Sequence, residues 1–302
     1  MATLKFGKYT VETSNTDKVF FPDEKITKGD VIEYYHKIAD SMLPYLKNRP
    51  LAMQRFPDGL DGESFFQKDI SDYFPGWIDR MKIRKEDGSV THVVCNNTAT
   101  LVYLANQACL TPHIWLSRVD KLDYPDRLVF DLDPPSDDFA SVRDAAQLAL
   151  ELFDELKLSV FVQTTGSRGV HLVVPLAAGE KFDAVRDFAQ KAAQSLVDDH
   201  GDSLTVEQRK DKRGNRVFID TNRNAYGQLM VAPYSVRARK GAPVATPIER
   251  EELGNSDLTS QSYTLKNIFR RLGQRDDPWS GMARSAQSLK DARRKLEKMM
   301  SK

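Results

Sequence analysis

At 302 residues, with 40% hydrophobic and 29% charged side chains, the chain has the composition of a globular protein able to bury a sizeable core. Its 44 Lys and Arg against 43 Asp and Glu leave a net charge of +1, which excludes a generally basic nucleic-acid coat; any nucleic acid would need a local positive patch. Two unpatterned cysteines argue against a disulfide framework, and neither a signal-peptide core at the amino terminus nor an apolar run of membrane-spanning length is present, so a cytoplasmic protein with no membrane association is expected.

In chain order, Thr27-Lys-Gly-Asp30 is a capping-box variant that opens an amphipathic helix with Val31, Tyr34, Tyr35, Ile38, Met42 and Leu46 facing inward. Pro50 and Pro57 bracket an extended stretch. Residues 82–94 read as an exposed, basic hairpin turning at Asp87-Gly88. Its Lys85-Glu-Asp-Gly88 superficially matches the lysine motif of DNA ligases, but a hairpin tip lacks the companion motifs. Residues 98–109 and 139–157 read as helices, the second with Val142, Ala146, Ala149, Phe153 and Leu156 on one stripe, and a further helix spans about 184–197. Strands flank these helices, which predicts an α/β fold with mixed sheets. His36, His92, His113 and His200 read as satisfied core residues. The tail from Arg284 is rich in Lys and Arg, with Leu289, Leu296 and Met299 as its apolar positions. It reads as a solvated closing helix, the alternative being an auxiliary phosphate-binding or partner-binding helix.

Four segments carry chemistry. Arg127-Leu-Val-Phe-Asp131-Leu-Asp133-Pro-Pro135 is an apolar, β-prone run that ends in two carboxylates. A strand has a side-chain period of two, so Val129, Asp131 and Asp133 share one face, and the prolines stop the strand so that the acids sit at its mouth. Carboxylates so close repel unless a cation lies between them, and oxygen ligands at this spacing suit Mg²⁺ or Mn²⁺. Arg216-Val-Phe-Ile-Asp220 is a second strand ending in an acid and supplies a third ligand, the construction used by two-metal phosphoryl-transfer enzymes. Between them, Thr165-Gly166-Ser167-Arg168-Gly169-Val-His171 reads as a tight turn between strands. Gly166 and Gly169 would take positive φ and expose N–H groups to phosphate, while Thr165, Ser167, Arg168 and His171 add donors. Finally, Arg237 and Arg239 are two apart, which places both on one face of an extended segment as a phosphate clamp.

The succession RLVFDLDPP, TGSRGVHLVVPL, VFIDTNRN and APYSVRARKGAPVATP resembles the polymerase domain of bacterial ligase D, within the archaeo-eukaryotic primase superfamily. The likeness runs from about Asn15 to about Trp279 and takes in Thr16-Asp-Lys18-Val-Phe-Phe-Pro22 and Arg49-Pro-Leu-Ala-Met-Gln-Arg55-Phe-Pro57. It implies a single compact domain over 1–302, with an N-terminal α/β region to about 120 packed on a catalytic core of about 121–280 and a basic helix at about 284–300. It implies that Asp131, Asp133 and Asp220 hold two ions of Mn²⁺ or Mg²⁺. Thr165, Ser167, Arg168, His171, Arg237, Arg239 and Arg55 would bind the nucleotide, with Phe65 and Phe66 stacking near it. Lys18 and Lys28 would capture a 5′-phosphate, Arg213 would lie near the template, and Lys68 and Arg223 would contact DNA. Thr165 departs from the family's usual Ser, and Arg168 from its frequent Lys. The implied activity is nucleotide addition to 3′ ends on a DNA template, favouring ribonucleotides and Mn²⁺, in double-strand-break repair by non-homologous end joining. The implied partners are DNA with 5′-phosphorylated ends, gaps or overhangs, NTP or dNTP, Ku and a DNA ligase, with a nucleoid-associated location. Whether the domain acts alone or is a piece of a fused ligase is open.

Two rivals can be weighed from residues alone. An Asp-x-Asp phosphatase uses its first acid as a nucleophile, but it wants Thr or Val where this chain has Pro135, and it leaves Phe65, Phe66, Arg237 and Arg239 without roles. A non-catalytic end-bridging module explains Lys18 and Lys28 but not a mouth of three carboxylates.

Overall fold

Arg127–Asp133 is the strand that its residues predict, at the middle of a six-stranded sheet in a computed structural model that describes residues 2–301. The chain forms two units. One comprises Leu116–Gln228, Thr246–Ser262 and Arg275–Lys302, and the other Met1–Trp115, Leu229–Ala245 and Tyr263–Gln274.

In the unit that holds the acids, the sheet runs Leu204–Thr205, Val217–Asp220, Arg127–Asp133, Val170–Pro175, Phe161–Thr164, Thr246–Ile248. Only the Leu204–Thr205 and Val217–Asp220 pair is parallel, so the sheet is mixed, as expected. Leu128, Val129, Phe130 and Leu132 have no exposed surface, the mark of a strand covered on both faces. The helices Phe139–Glu155 and Phe182–His200 pack on it. The first is capped by Asp138, which accepts from Ala140 N, and its Phe153 meets Phe130 edge-on at 5.0 Å. Val142, Ala146, Ala149, Phe153 and Leu156 are all buried, and each large apolar side chain sunk in this way contributes roughly 1.5–3 kcal/mol. The basic helix Lys290–Met300 closes the unit through Leu289, Ala292 and Leu296, while Arg293 reaches Glu180 at 2.7 Å and Asp187 at 3.2 Å.

The turn between Phe161–Thr164 and Val170–Pro175 differs from expectation in one respect. Gly166 takes a positive φ of 65°, but Gly169 does not. Gly169 is required by space instead: a Cβ there would lie 2.1 Å from the carbonyl oxygen of Leu132, the residue between the two acids.

The other unit has a five-stranded path, Leu229–Val231, Cys109–Trp115, Pro50–Arg55, Gly88–Val94, Arg80–Lys85, with Phe65–Gln67 added on Pro50–Arg55. The hairpin of residues 82–94 is present as the last two strands. Thr27 and Asp30 form the capping box, and all six predicted inward residues are buried. The single helix expected there is broken at Ile38 into Lys28–Lys37 and Ala39–Leu46. Tyr34 and Tyr35 tolerate burial because their hydroxyls are bonded: Tyr34 donates to Tyr234 O at 2.7 Å, and Tyr35 donates to Leu110 O while accepting from Val236 N at 3.0 Å. Of the four histidines read as core, only His92 is fully buried, with Nδ1 3.1 Å from Leu51 O; His36 is exposed, and His113 and His200 are half-buried.

The unit that begins the chain runs to Trp115 but is not contiguous. It takes in Leu229–Ala245 because Leu229–Val231 pairs with Cys109–Trp115, so Arg237 and Arg239 belong to it rather than to the unit of the acids.

Two predictions follow from packing. Gly169→Ala should destabilise the protein by about 1–3 kcal/mol, the usual cost of overpacking; an unchanged urea midpoint would contradict the close approach. Cys95 and Cys109 are buried, and burial pushes the Cys109 thiol up to about 12 and Cys95 still further. A thiol reagent such as DTNB should therefore label neither in the native protein and both in denaturant, and fast labelling of the native protein would refute this.

Candidate active site

The site begins with register. Asp131 sits directly opposite Asp220 on one neighbouring strand and directly opposite His171 on the other. Directly opposed residues point to the same face, so three adjacent strands deliver Asp220, Asp131 and His171 as one row, with Asp133 two residues on from Asp131. Asp131 is only 4% exposed, while Asp133 and Asp220 are half-buried.

Two carboxylates facing each other need positive charge. His171 Nε2 lies 3.3 Å from Asp131 Oδ1, and Arg223 Nε lies 3.1 Å from Asp131 Oδ2 and 4.0 Å from Asp220 Oδ2. Burial alone would raise the Asp131 pKa, but the charges and hydrogen bonds of His171 and Arg223 reverse this and hold it well below the usual carboxylate range. Asp133 goes the other way. Burial, and then the charge of Asp131, lift it to about 6 despite His171, Arg223 and Arg168. Asp220 Oδ1 is fixed by Asn222 N at 2.8 Å.

These features fit a hard cation. The donors are carboxylate oxygens, a guanidinium already stands between two of them, and His171 Nδ1 is buried with no hydrogen-bond partner among the described residues. Among the described residues, however, no group of three or more His, Cys, Asp or Glu is already gathered as a metal cage. The acids are aligned for an ion but not closed around one.

The turn that follows is tied more tightly than its sequence suggests. The Thr165 hydroxyl accepts from Ser167 N at 3.3 Å and Gly169 N at 3.2 Å, so two N–H groups expected to face phosphate are turned inward. Ser260, which the sequence reading missed, braces the same hydroxyl at 3.2 Å and donates to Gly169 O at 2.8 Å. Ser167 and Arg168 remain half-buried at the tip. Asn224 was also missed. Its buried carboxamide accepts from Val129 N at 2.8 Å and donates to Val129 O at 2.7 Å and Thr221 O at 2.9 Å, tying the two acid-bearing strands together. Nothing in the residue order marks either role. Arg213, expected near a template, stacks on Phe218 with its guanidinium 3.6 Å from the ring centre and donates to Glu207 O and Gln208 O at 2.9 Å. Arg223, expected on DNA, is directed at the acids.

The other unit carries the remaining candidates. Lys28 is 6% exposed and donates to Ser14 O at 2.7 Å; burial, then Lys18 and Arg55, lower its pKa. Lys18 and Arg55 thus both lie within electrostatic reach of Lys28. Lys28 N bonds Lys18 O at 2.8 Å, which holds the two lysines side by side, and Lys18 pairs with Asp58. Arg55 donates to Gln107 O and Gln67 Oε1, both at 2.7 Å, and stands 5.4 Å from the Phe65 ring centre. Phe65 and Phe66 are 46% and 55% exposed on a short edge strand, an open aromatic platform, and Lys68 beside them is exposed. Arg237 and Arg239 do not lie on an extended segment: Arg239 N bonds Arg237 O at 2.8 Å in a tight turn, so strand alternation does not apply to them.

The family described as LigD, primase-polymerase domain, matches residues 27–279. The multifunctional non-homologous end joining protein LigD of Pseudomonas aeruginosa is 34% identical over 94% of this chain and 34% of its own length. The bifunctional non-homologous end joining protein LigD of Bacillus subtilis is 32% identical over 92% of this chain and 45% of its own length. The chain therefore spans less than half the length of these relatives. The polymerase domain of Mycobacterium tuberculosis ligase D, solved in complex with DNA, is 29% identical and superposes with a TM-score of 0.86 over 91% of this chain and 99% of that one. With the family model matching residues 27–279, relatives at 34% and 32% identity over most of the chain and the fold superposing on that domain, the chain belongs to the LigD primase-polymerase family, nucleotidyltransferase-type DNA polymerase domains of end-joining proteins.

Proposed function

We propose that the chain adds nucleotides to 3′ ends opposite a DNA template, filling gaps and processing ends in non-homologous end joining, with ribonucleotides preferred. The row Asp220–Asp131–His171 on three adjacent strands is the observation that carries this reading. Asp131, Asp133 and Asp220 would hold Mn²⁺ or Mg²⁺, which when bound supplies Lewis acidity to the attacking hydroxyl and neutralises the departing pyrophosphate. The protein's own share is alignment. His171 and Arg223 keep Asp131 ionised and oriented, Asn222 fixes Asp220, and the Gly169 contact holds the backbone between the two acids of the central strand. Ser167, Arg168, Arg237 and Arg239 present donors for a triphosphate, with Thr165 shaping the turn from within. Phe65 and Phe66 offer faces to bases, worth roughly 1–3 kcal/mol per base and tolerant of sequence. Lys18 and Lys28 receive the 5′-phosphate of a downstream strand, and Lys68 and Arg213 line the DNA. Ku and a DNA ligase complete the repair by bringing and sealing the ends.

A labelled primer–template with Mn²⁺ and nucleotide distinguishes this reading from the two rivals, which give phosphate release or binding alone. Asp131→Asn, Asp133→Asn and Asp220→Asn should each cut extension by at least about 10²–10³-fold, the scale of losing one preorganised electrostatic group. DNA binding should hold within a few-fold, because the acids act on the metal and not on the duplex. Normal extension by Asp131→Asn would sink the assignment.

The lysines make a separate prediction. Gapped DNA bearing a 5′-phosphate should bind roughly tenfold more tightly than the same DNA bearing a 5′-hydroxyl, in line with charged hydrogen bonds of about 1.5–3 kcal/mol. The difference should shrink as salt rises, since each phosphate contact releases counterions. Lys18→Ala combined with Lys28→Met should erase it while sparing extension of an open primer–template. If the double variant still discriminates, the end is read elsewhere.

A further inference from the structure

Arg223 occupies an unusual position for a residue expected on DNA. It lies three residues beyond Asp220 on the short turn Asn222–Asn224, and its Nε stands 3.1 Å from Asp131 and 4.0 Å from Asp220. The backbone beneath it is pinned. Asn224 bonds Val129 and Thr221, Asn222 N bonds Asp220, and Arg186 donates to Asn222 Oδ1 at 3.1 Å. The side chain itself is 39% exposed. With the backbone of the turn held, a change in what the guanidinium meets must come from rotation of the side chain itself.

We propose that Arg223 is the resident counter-ion of the acid row, seated between Asp131 and Asp220 where a divalent cation belongs during reaction, and that it exchanges with that cation by swinging onto a phosphate of the incoming nucleotide. This rests on the reading of the acids as metal ligands. The guanidinium already occupies Asp131 Oδ2, an oxygen that an ion held by Asp131 and Asp220 would take, so binding of that ion and departure of the guanidinium are one event. Asp131, almost wholly buried, is never left facing Asp220 uncompensated. The displaced guanidinium is a planar fork of donors suited to phosphate oxygens. A nucleotide therefore favours the state in which Arg223 has left, and metal and nucleotide strengthen each other's binding by the same factor. Arg223 is a positioning residue in this scheme, acting through the acids and the triphosphate.

The test is Mn²⁺ binding followed by EPR, with and without a non-hydrolysable nucleotide, on the wild-type chain and on Arg223→Gln, Arg223→Lys and Arg223→Ala. Without nucleotide, Arg223→Gln should bind Mn²⁺ more tightly by about tenfold, within the usual range of site–site coupling, and the strengthening by nucleotide should shrink. Arg223→Lys, which keeps the charge, should stay near wild type. Guanidinium ion at sub-denaturing concentration should loosen Mn²⁺ binding to Arg223→Ala and leave the wild type unchanged, which a long-range charge effect would not produce. Thermal melts should show the metal-free Gln variant less stable than the wild type and more strongly stabilised by Mn²⁺. Equal Mn²⁺ affinity in wild type and Arg223→Gln overturns the exchange while leaving the acids as metal ligands. Absence of Mn²⁺ binding in every variant overturns the metal reading, and the exchange with it.

Discussion

The antiparallel pairing of Arg127–Asp133 with both of its neighbours is the constraint on which the site depends. Register places Asp131 against Asp220 on one side and His171 on the other, and a slip of one residue on any strand would turn that strand's contribution to the opposite face. The alignment is electrostatically costly, because two carboxylates directly opposite one another repel. His171 and Arg223 offset that cost at Asp131, holding it far below the usual carboxylate range against the effect of burial, whereas burial and the charge of Asp131 lift Asp133 above that range.

Holding such a row in place requires rigidity close by, and it comes from two backbone devices. On one side Gly169 lets the following strand approach Leu132 so closely that no other residue fits. On the other, the Asn224 carboxamide behaves like a short piece of additional strand, satisfying both backbone groups of Val129 and reaching Thr221 just beyond Asp220. Beneath the row, Leu128, Phe130 and Leu132 have no exposed surface, so the strand carrying the acids cannot shift without disrupting the core.

The unit with the aromatic platform follows a different logic. Phe65 and Phe66 lie open on a short edge strand, and Lys28 is buried beside Lys18 and within electrostatic reach of Arg55. Exposed rings and crowded positive charge both cost stability in isolation. Their coexistence on one small unit fits a surface that meets stacked bases and phosphate, whose negative charge would relieve the crowding around Lys28.

Much of this was written in the residue order. The strand ending in Asp131 and Asp133, the second strand ending in Asp220, the hairpin between them, the capping box at Thr27 and the stripe on Phe139–Glu155 all arise from local rules: periodicity, proline stops and capping chemistry act over a few residues and survive folding. What only the tertiary structure decided are matters of distance between segments far apart in sequence. Register made Asp131, Asp220 and His171 a row. A close backbone approach, not a positive φ, made Gly169 necessary. A back-bonded turn took Arg237 and Arg239 off the extended segment that their spacing suggested, and strand pairing drew them into the unit of Cys109–Trp115. Arg223, one polar residue among several after Asp220, became the counter-ion of the acids because the turn beneath it aims its side chain back at them. Spacing along a chain determines which face a residue takes within its own element, but which charge it meets there depends on how the elements pair.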